Sequence, residues 1–517
     1  MPNPTHGVIA AGHAKTAEAG LEMLRLGGNA FDAAIAAVMA AFVVEPTLTS
    51  PAGGGFLLAH TSQQQDILFD FFTQTPRYKK NPSHLNFYPV DVNFGGAIQE
   101  FHIGLGSMGV PGNVAGIFHV HQKLGRLPFQ AIAEPAIHYA KRGVEISDFQ
   151  YFCFQILSPI LTASPESRQI FAPNGSLVAP GTNLVMPDLA EALDYLAKTG
   201  PDGFYRGDIA HQIVQDCENF GGYLTLEDLQ QYQVIERQPL AINYRDNILL
   251  TNPTPSSGGT LIALALELLS AIDLANFKFG SAEHLDVLAT AMRLTNIARR
   301  EQSDQLCQQQ DSQAFLEAVQ VEMYQAQLLD VANKWGSTTH LSVIDDEGNA
   351  ASVTTSNGEG CGYVIPGTGI MMNNMLGEED LNPQGFHQWQ ENTRIASMMA
   401  PTIVLKDQQP EIVLGSGGSN RIRTAILQVI SNILDFQMPV GVAVDSPRIH
   451  WENSVFNVEP GFSEAELEKL HLPADDELVL WQQENMFFGG VHTVMRDAAG
   501  TITGAGDRRR SGVVLAC

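Results

Sequence analysis

The chain has five cysteines in 517 residues, too few and too scattered for a disulfide framework. Cys153, Cys217, Cys307, Cys361 and Cys517 form no C-x-x-C pair, and no H-E-x-x-H occurs, so neither common zinc arrangement is available. His119 and His121, two residues apart, face different sides of a helix. Positive charge is also scarce. Lys and Arg number 29 against 56 Asp and Glu, a net charge of −27. Nucleic acid and anionic membrane both need a basic footprint, so neither is expected as the main partner. The acidity is dispersed, with no run of five like charges. Long apolar runs are absent too. The longest, residues 33–44, is well short of the roughly 20 residues that span a bilayer, and its alanines suit a buried helix. The start, "MPNPTHGVIAAGHAK", lacks a basic region followed by an apolar core, so no signal peptide is read. The expectation is a cytoplasmic protein, or a periplasmic one if a leader has been removed. No internal repeat or low-complexity tract is found.

The chain is 44% hydrophobic and 16% charged, which makes it globular, and its length fits one large layered unit. Helices are predicted over 16–26, from the Asn29 cap to residue 44, and over 114–124, 129–141, 187–199 and 209–219. A short one is predicted over 224–232, and others over 284–300, 314–333 and 421–434. "PTPSSGGT" (253–260) reads as a turn feeding a helix from Leu261. Strands are predicted over 51–60 and 66–72, and as a pair within "AINYRDNILLTN". Beyond Thr338 the pattern changes. Strands fit 341–344 and 350–355 around an Asp/Gly turn at 345–348, then 402–405, 411–414, 455–458 and 491–496. Helices thus lie mostly before Ser337 and strands mostly after it, which divides the chain into segments 1–337 and 338–517. A boundary of this kind is also a candidate cleavage point.

Several motifs carry less than their letters suggest. "GLGSMG" (104–109) matches G-x-G-x-x-G, but Val110-Pro111-Gly112 follows at once and breaks the helix that a dinucleotide site requires. "GSGGSNR" (415–421) is neither a P-loop nor a G-x-S-x-G elbow. It reads either as a plain strand-to-helix turn or as a turn exposing backbone N–H groups to a negative centre. Glu378-Glu379-Asp380 reads as a solvated acidic loop, Asp32 as a first-turn helix residue facing the dipole, and Asp445-Ser446-Pro447-Arg448 as a turn.

Taken together, several stretches resemble the gamma-glutamyltranspeptidase family, which includes cephalosporin-acylase-like members. They are "GGNAFDAAIAAVMAAFVVEPTLTSPAGGGFLL", "GVPGNVAGIFHVHQKLGRLPF", "GPDGFYRGDIA", "GGYLTLEDLQQY", "PTPSSGG", "TTHLSVIDDEGNAASVT", "GTGIMMNNM", "MAPTIVL" and "GAGDRRRSG". The likeness covers nearly the whole chain, in order. It implies an α+β fold, a four-layer αββα sandwich of the N-terminal nucleophile hydrolase type. It also implies self-cleavage between Ser337 and Thr338 into a large and a small subunit that stay together.

The chemistry of such a cut can be argued from Thr338 itself. A threonine hydroxyl is a weak nucleophile without an adjacent base. Cleavage before Thr338 creates an α-amine with an intrinsic pKa near roughly 8, able to accept the proton of its own hydroxyl. Thr338 is chosen because the family's small subunit begins at the first threonine of TTH. Period-2 alternation turns Thr339 the other way. The resemblance implies that Ser356, a threonine in the family, hydrogen-bonds the nucleophile. It also implies that the backbone N–H groups of Gly418 and Ser419, in the places of two glycines, form the oxyanion hole.

The acyl end of the site departs from the family. Phe72 replaces the arginine that grips a glutamyl α-carboxylate. Met375 falls in the family's Asn-Asn-Gln/Glu motif, Glu378 stands for the ammonium-binding Asp, and Ser397-Met398 replaces Ser-Ser. Losing a hydrogen bond to a charged group costs about 1.5–3 kcal/mol, and Phe cannot replace a bidentate arginine. The alternative is that another cation, Arg77 or Arg394, fills in. The expected function is an N-terminal-threonine amidohydrolase or acyltransferase. It takes an amide or peptide-like acyl donor and passes the acyl group to water or an amine, with no metal or organic cofactor. Two rivals are a conventional gamma-glutamyltranspeptidase acting on glutathione-like substrates, and an uncleaved, non-catalytic binding protein.

Overall fold

The computed structural model of the chain describes residues 6–93, 98–301 and 336–517. Two antiparallel sheets lie face to face. The first runs, from edge to edge, through Val513–Ala516, Gly7–Ala11, Thr339–Asp345, Ala350–Ser356, Gly54–His60, Asp66–Phe71 and Ile235–Arg237. The second runs through Ile502–Ala505, Thr493–Arg496, Gln409–Leu414, Thr402–Lys406, Asn247–Thr251 and Leu240–Tyr244.

Period-2 alternation explains the layering. In Gly7–Ala11, Ile9 and Ala11 pack with the helices Ala14–Arg25 and Ala30–Val44, while Val8 and Ala10 pack towards the second sheet. Leu57 and Ala59 against Phe56 and Leu58 repeat the division one strand further on. Helices Ser257–Ser270 and Arg421–Leu434 share the second core with Leu249, Ile403 and Val413. The order of layers is helix, sheet, sheet, helix, the expected αββα sandwich.

Ala30–Val44 is buried at every position, which its alanines permit by keeping the backbone close to its neighbours. Its start is a capping box. The Asn29 side chain accepts from the Asp32 N–H, and Asp32 accepts from the Asn29 N–H. Such a cap contributes about 1 kcal/mol. Asp32 also accepts from the N–H groups of Arg126 and Leu127, so it ties a distant loop to the helix start.

Most predicted elements are present with ends shifted by a few residues, and Pro187–Thr199, Arg421–Leu434 and Val455–Val458 match their predicted ends. The segment read as a turn at 253–260 is partly helical, since the helix begins at Ser257. Gly258 and Gly259 have no side chain to clash there: a β-carbon on either would lie 2.0 Å from the Met398 carbonyl oxygen or 2.2 Å from that of Asn252. At "GLGSMG" a three-residue 3-10 turn, Leu105–Ser107, stands where a dinucleotide site needs a helix. The helix predicted over 314–333 lies outside the described residues. The segments before and after Ser337 are not separate layers. Thr339–Asp345 is inserted between Gly7–Ala11 and Ala350–Ser356, and both segments supply strands to both sheets. Among the described residues no helix is long and apolar enough to cross a membrane.

Candidate active site

The strand Thr339–Asp345 sets the site by its alternation. Thr339 turns towards the outer helices, and its hydroxyl donates to Glu45 Oε1 at 2.9 Å. His340 turns towards the other sheet, with Nδ1 2.8 Å from Thr354 Oγ1 and Nε2 2.9 Å from Ser342 Oγ. Burial holds the His340 pKa well below the ordinary value, so the ring is neutral. Thr338 stands just before this strand, at a cavity of about 570 Å³ counted to its open mouth.

That cavity gathers most of the residues singled out in the sequence. Its wall contains Phe72, Ser337, Thr338, Ser356, Met375, Glu378, Ser397, Met398 and Ser419. These positions come from segments up to 347 residues apart in sequence (Phe72 to Ser419), brought together by the stacking of the two sheets. Gly418 lies beside Ser419 but does not form part of the wall. Gly336, Ser257, Asp380, Leu381, Ala396, Met399 and Ile422 complete it.

The peptide joining Ser337 to Thr338 is held on several sides. Ser356 Oγ donates to the Ser337 carbonyl oxygen at 2.6 Å and accepts from the Gly358 N–H at 2.9 Å. The expected partner of Ser356 was the Thr338 hydroxyl, and the bond seen here is to the carbonyl that precedes it. Glu359 accepts the Ser337 N–H at 2.9 Å and also the Ser337 hydroxyl. Arg510 reaches the carbonyl oxygens of Thr338, at 3.2 Å from Nη1, and Gly336, at 3.4 Å from Nη2. Gly417 passes so close that a β-carbon there would lie 2.2 Å from the Thr338 carbonyl oxygen.

The glycine-rich turn leaves ordinary backbone conformations at two successive residues. Gly418 has φ 122° and Ser419 φ 49°. A serine in the left-handed region costs about 1–2 kcal/mol relative to glycine. Its side chain offsets part of this by donating to Asp380 Oδ2 at 2.7 Å. Gly336 lies over this turn: a β-carbon on it would come within 3.0 Å of the Ser419 backbone nitrogen.

Two carboxyls beneath the site were not found in the sequence. Burial pushes Glu45 up to about 7, against hydrogen bonds from Thr16 and Thr339 and the nearby charge of Arg510. Burial likewise pushes Glu359 up to about 7, against its two bonds from Ser337 and the charges of Arg510 and Arg421. Glu359 sits in "NGEG", which reads locally as a turn, and no periodicity marks it. Arg510 stands in "GAGDRRRSG", where nothing in the string separates its role from those of Arg508 and Arg509.

Neither cation considered as a substitute for the missing arginine forms part of the cavity wall. Arg394 stacks over the Tyr232 ring, pairs with Asp70, and donates to the carbonyls of Phe72 and Gln233. Arg77 offers its backbone N–H to Asp228. Phe72 stacks on Phe56, with ring centroids 5.5 Å apart, and is fully buried. Among the described residues no three His, Cys, Asp or Glu side chains gather as a metal site.

Known proteins share this architecture. A family profile described as Gamma-glutamyltranspeptidase matches residues 16–517. The "Glutathione hydrolase proenzyme" of Escherichia coli strain K12 is 31% identical, over 97% of this chain and 90% of its own length. The "Acylase ACY 1 proenzyme" of Pseudomonas sp. strain SE83 is 27% identical, over 99% of this chain and 94% of its own. Among solved structures, cephalosporin acylase from Bacillus halodurans superposes with a TM-score of 0.82 at 26% identity, covering 100% of this chain and 98% of that one. A layered fold with this strand order, a cavity built around Thr338, and a profile match over nearly the whole length establish that the chain belongs to the gamma-glutamyltranspeptidase family, enzymes that transfer or hydrolyse γ-glutamyl or acyl groups.

Proposed function

We propose that the chain cuts itself between Ser337 and Thr338 and then acts as an N-terminal-threonine amidohydrolase or acyltransferase. The observation that carries this reading is the position of Thr338 at the cavity, with the carbonyl before it held at 2.6 Å by Ser356. Both segments supply strands to both sheets, so the two products stay associated after the cut. The freed α-amine of Thr338, with a pKa near roughly 8, accepts the proton of the Thr338 hydroxyl. The hydroxyl oxygen attacks the acyl carbon of an amide donor. The backbone N–H groups of Gly418 and Ser419 stabilise the tetrahedral oxyanion, each such donor contributing about 3–4 kcal/mol. The amine leaves with the proton. Water or an acceptor amine then releases the acyl group from Thr338.

The acyl pocket suits an apolar chain better than a zwitterionic glutamyl end. Phe72, Met375, Met398, Met399 and Ile422 supply its apolar wall, and among the described lining residues there is no Lys, Arg or His. Ser397 completes its backbone frame. Its carbonyl accepts from Ser256 Oγ at 2.8 Å and its hydroxyl accepts from the Met399 N–H. A second reading, γ-glutamyl transfer with a rearranged grip, is favoured by Glu378, a carboxylate on the same wall that could meet an α-ammonium.

Intact mass of the smaller fragment, with Thr338 as its first residue, tests the cut. A single uncut chain of 56.1 kDa after long incubation points instead to a non-catalytic binding protein. A panel of γ-glutamyl, glutaryl and purely apolar acyl anilides tests the donor. Weak γ-glutamyl turnover beside faster apolar turnover is expected. Gamma-glutamyl turnover as fast as the best of the panel would select the second reading.

A further inference from the structure

Glu359 has an unusual occupant. The residue is 3% exposed, and its carboxylate accepts both polar hydrogens of one residue, the N–H and the hydroxyl of Ser337. It follows the strand Ala350–Ser356 by three residues, and its own N–H is fixed on Asn374 Oδ1 at 2.8 Å. A buried carboxylate deprived of its donors is strongly destabilised, so the two hydrogen bonds order the peptide as much as the carboxylate. Ser356 takes the carbonyl of the same residue, and Arg510 takes the carbonyls of Gly336 and Thr338 on either side. Donors and acceptors of the peptide thus meet groups of opposite polarity, with Glu359 the acceptor.

We propose that Glu359 is the positioning residue for self-cleavage. It holds Ser337 by two hydrogen bonds so that the Ser337 carbonyl carbon faces the Thr338 hydroxyl. The proposal rests on the self-cleavage reading above. In the step it serves, Thr338 Oγ bonds to the Ser337 carbonyl carbon through a five-membered ring. The C–N bond breaks, and the nitrogen takes the hydroxyl proton as it becomes an amine. Water then adds to the ester and its C–O bond breaks. The products are a Ser337 carboxylic acid and a restored Thr338 hydroxyl.

The test follows conversion of the full-length chain into two fragments over time, by denaturing gel and intact mass. The variants are Glu359→Ala, Glu359→Gln, Ser337→Ala and the Ser337→Ala/Glu359→Ala double, with folding checked by thermal melting. Glu359→Ala should slow conversion at least tenfold. Glu359→Gln, which keeps an acceptor for the Ser337 N–H, should recover much of that loss. The double variant should be slower than Glu359→Ala by less than the Ser337→Ala factor, because the two residues act through a shared bond. Wild-type rates in both Glu359 variants would overturn the proposal, as would losses that simply multiply. Should Glu359→Ala fail to fold, Glu359→Gln and Ser337→Ala carry the test, and wild-type rates in both overturn it. A wild-type chain that stays whole removes the self-cleavage reading and this proposal together. Normal cutting with indifferent variants removes this proposal alone.

Discussion

The hydroxyl of Ser356 donates to the carbonyl oxygen of Ser337 at 2.6 Å, across 19 residues of chain. That oxygen gains negative charge when Thr338 attacks, so the bond strengthens in the transition state. Removing one such donor commonly costs about 10²–10³ in rate. Ser356→Ala should therefore slow self-cleavage about 100-fold, measured as loss of the uncut band. Ser356→Thr, which keeps the hydroxyl, should retain most of the rate. An unaffected Ser356→Ala would show that the bond is structural only.

Ser419 combines strain with a compensating bond. Its left-handed backbone, φ 49°, favours glycine, and its hydroxyl bonds to Asp380. Ser419→Ala keeps the strain and loses the bond. Ser419→Gly loses both. The glycine variant should therefore be the more stable of the two, by about 1 kcal/mol in denaturant titrations of the uncut Thr338→Ala background. The reverse order would show that the turn relaxes without cost.

Restoring an arginine at position 72 should not by itself restore a carboxylate grip. Phe72 is fully buried and stacked on Phe56. An unpaired charge there costs about 3–5 kcal/mol. Phe72→Arg should melt at a lower temperature and gain no γ-glutamyl anilide hydrolysis. A gain in that activity with unchanged stability would mean that the apolar niche readily accepts a cation.

Buried histidines make the fold sensitive to mild acid. His13, His284, His450 and His492 are each lowered to about 4, first by burial. The unfolded chain binds protons at these rings near the ordinary value of 6.5, so stability is fully present above 6.5 and is lost as pH falls towards 4. Glu45 and Glu359, raised to about 7, act in the opposite sense between their ordinary value of 4.5 and 7. The histidines outnumber them. The thermal midpoint of the uncut Thr338→Ala variant should fall from pH 6.5 to pH 5. A midpoint that rises over that window would contradict the assignment of neutral buried rings.

Local chemistry was legible along the chain. Asn29 and Asp32 cap a helix because their side chains reach N–H groups within three residues. The hairpin around residues 345–348 follows from an Asp/Gly turn between apolar runs. Thr339 faces away from the cavity, as period-2 alternation requires. The αββα layering and the grouping of Phe72, Met375, Met398 and Ser419 around Thr338 were reached through family resemblance, since periodicity gives the faces of a strand but not which sheet lies opposite. Other features were decided only in three dimensions. Glu359 and Arg510 hold Ser337 and its flanking carbonyls, Ser356 donates to the carbonyl of Ser337, and Arg394 is committed to Tyr232 and Asp70. Each depends on which polar partner lies within about 3 Å after the two sheets close. Sequence spacing determines the direction of a side chain from its own strand or helix, and tertiary packing determines what it meets there.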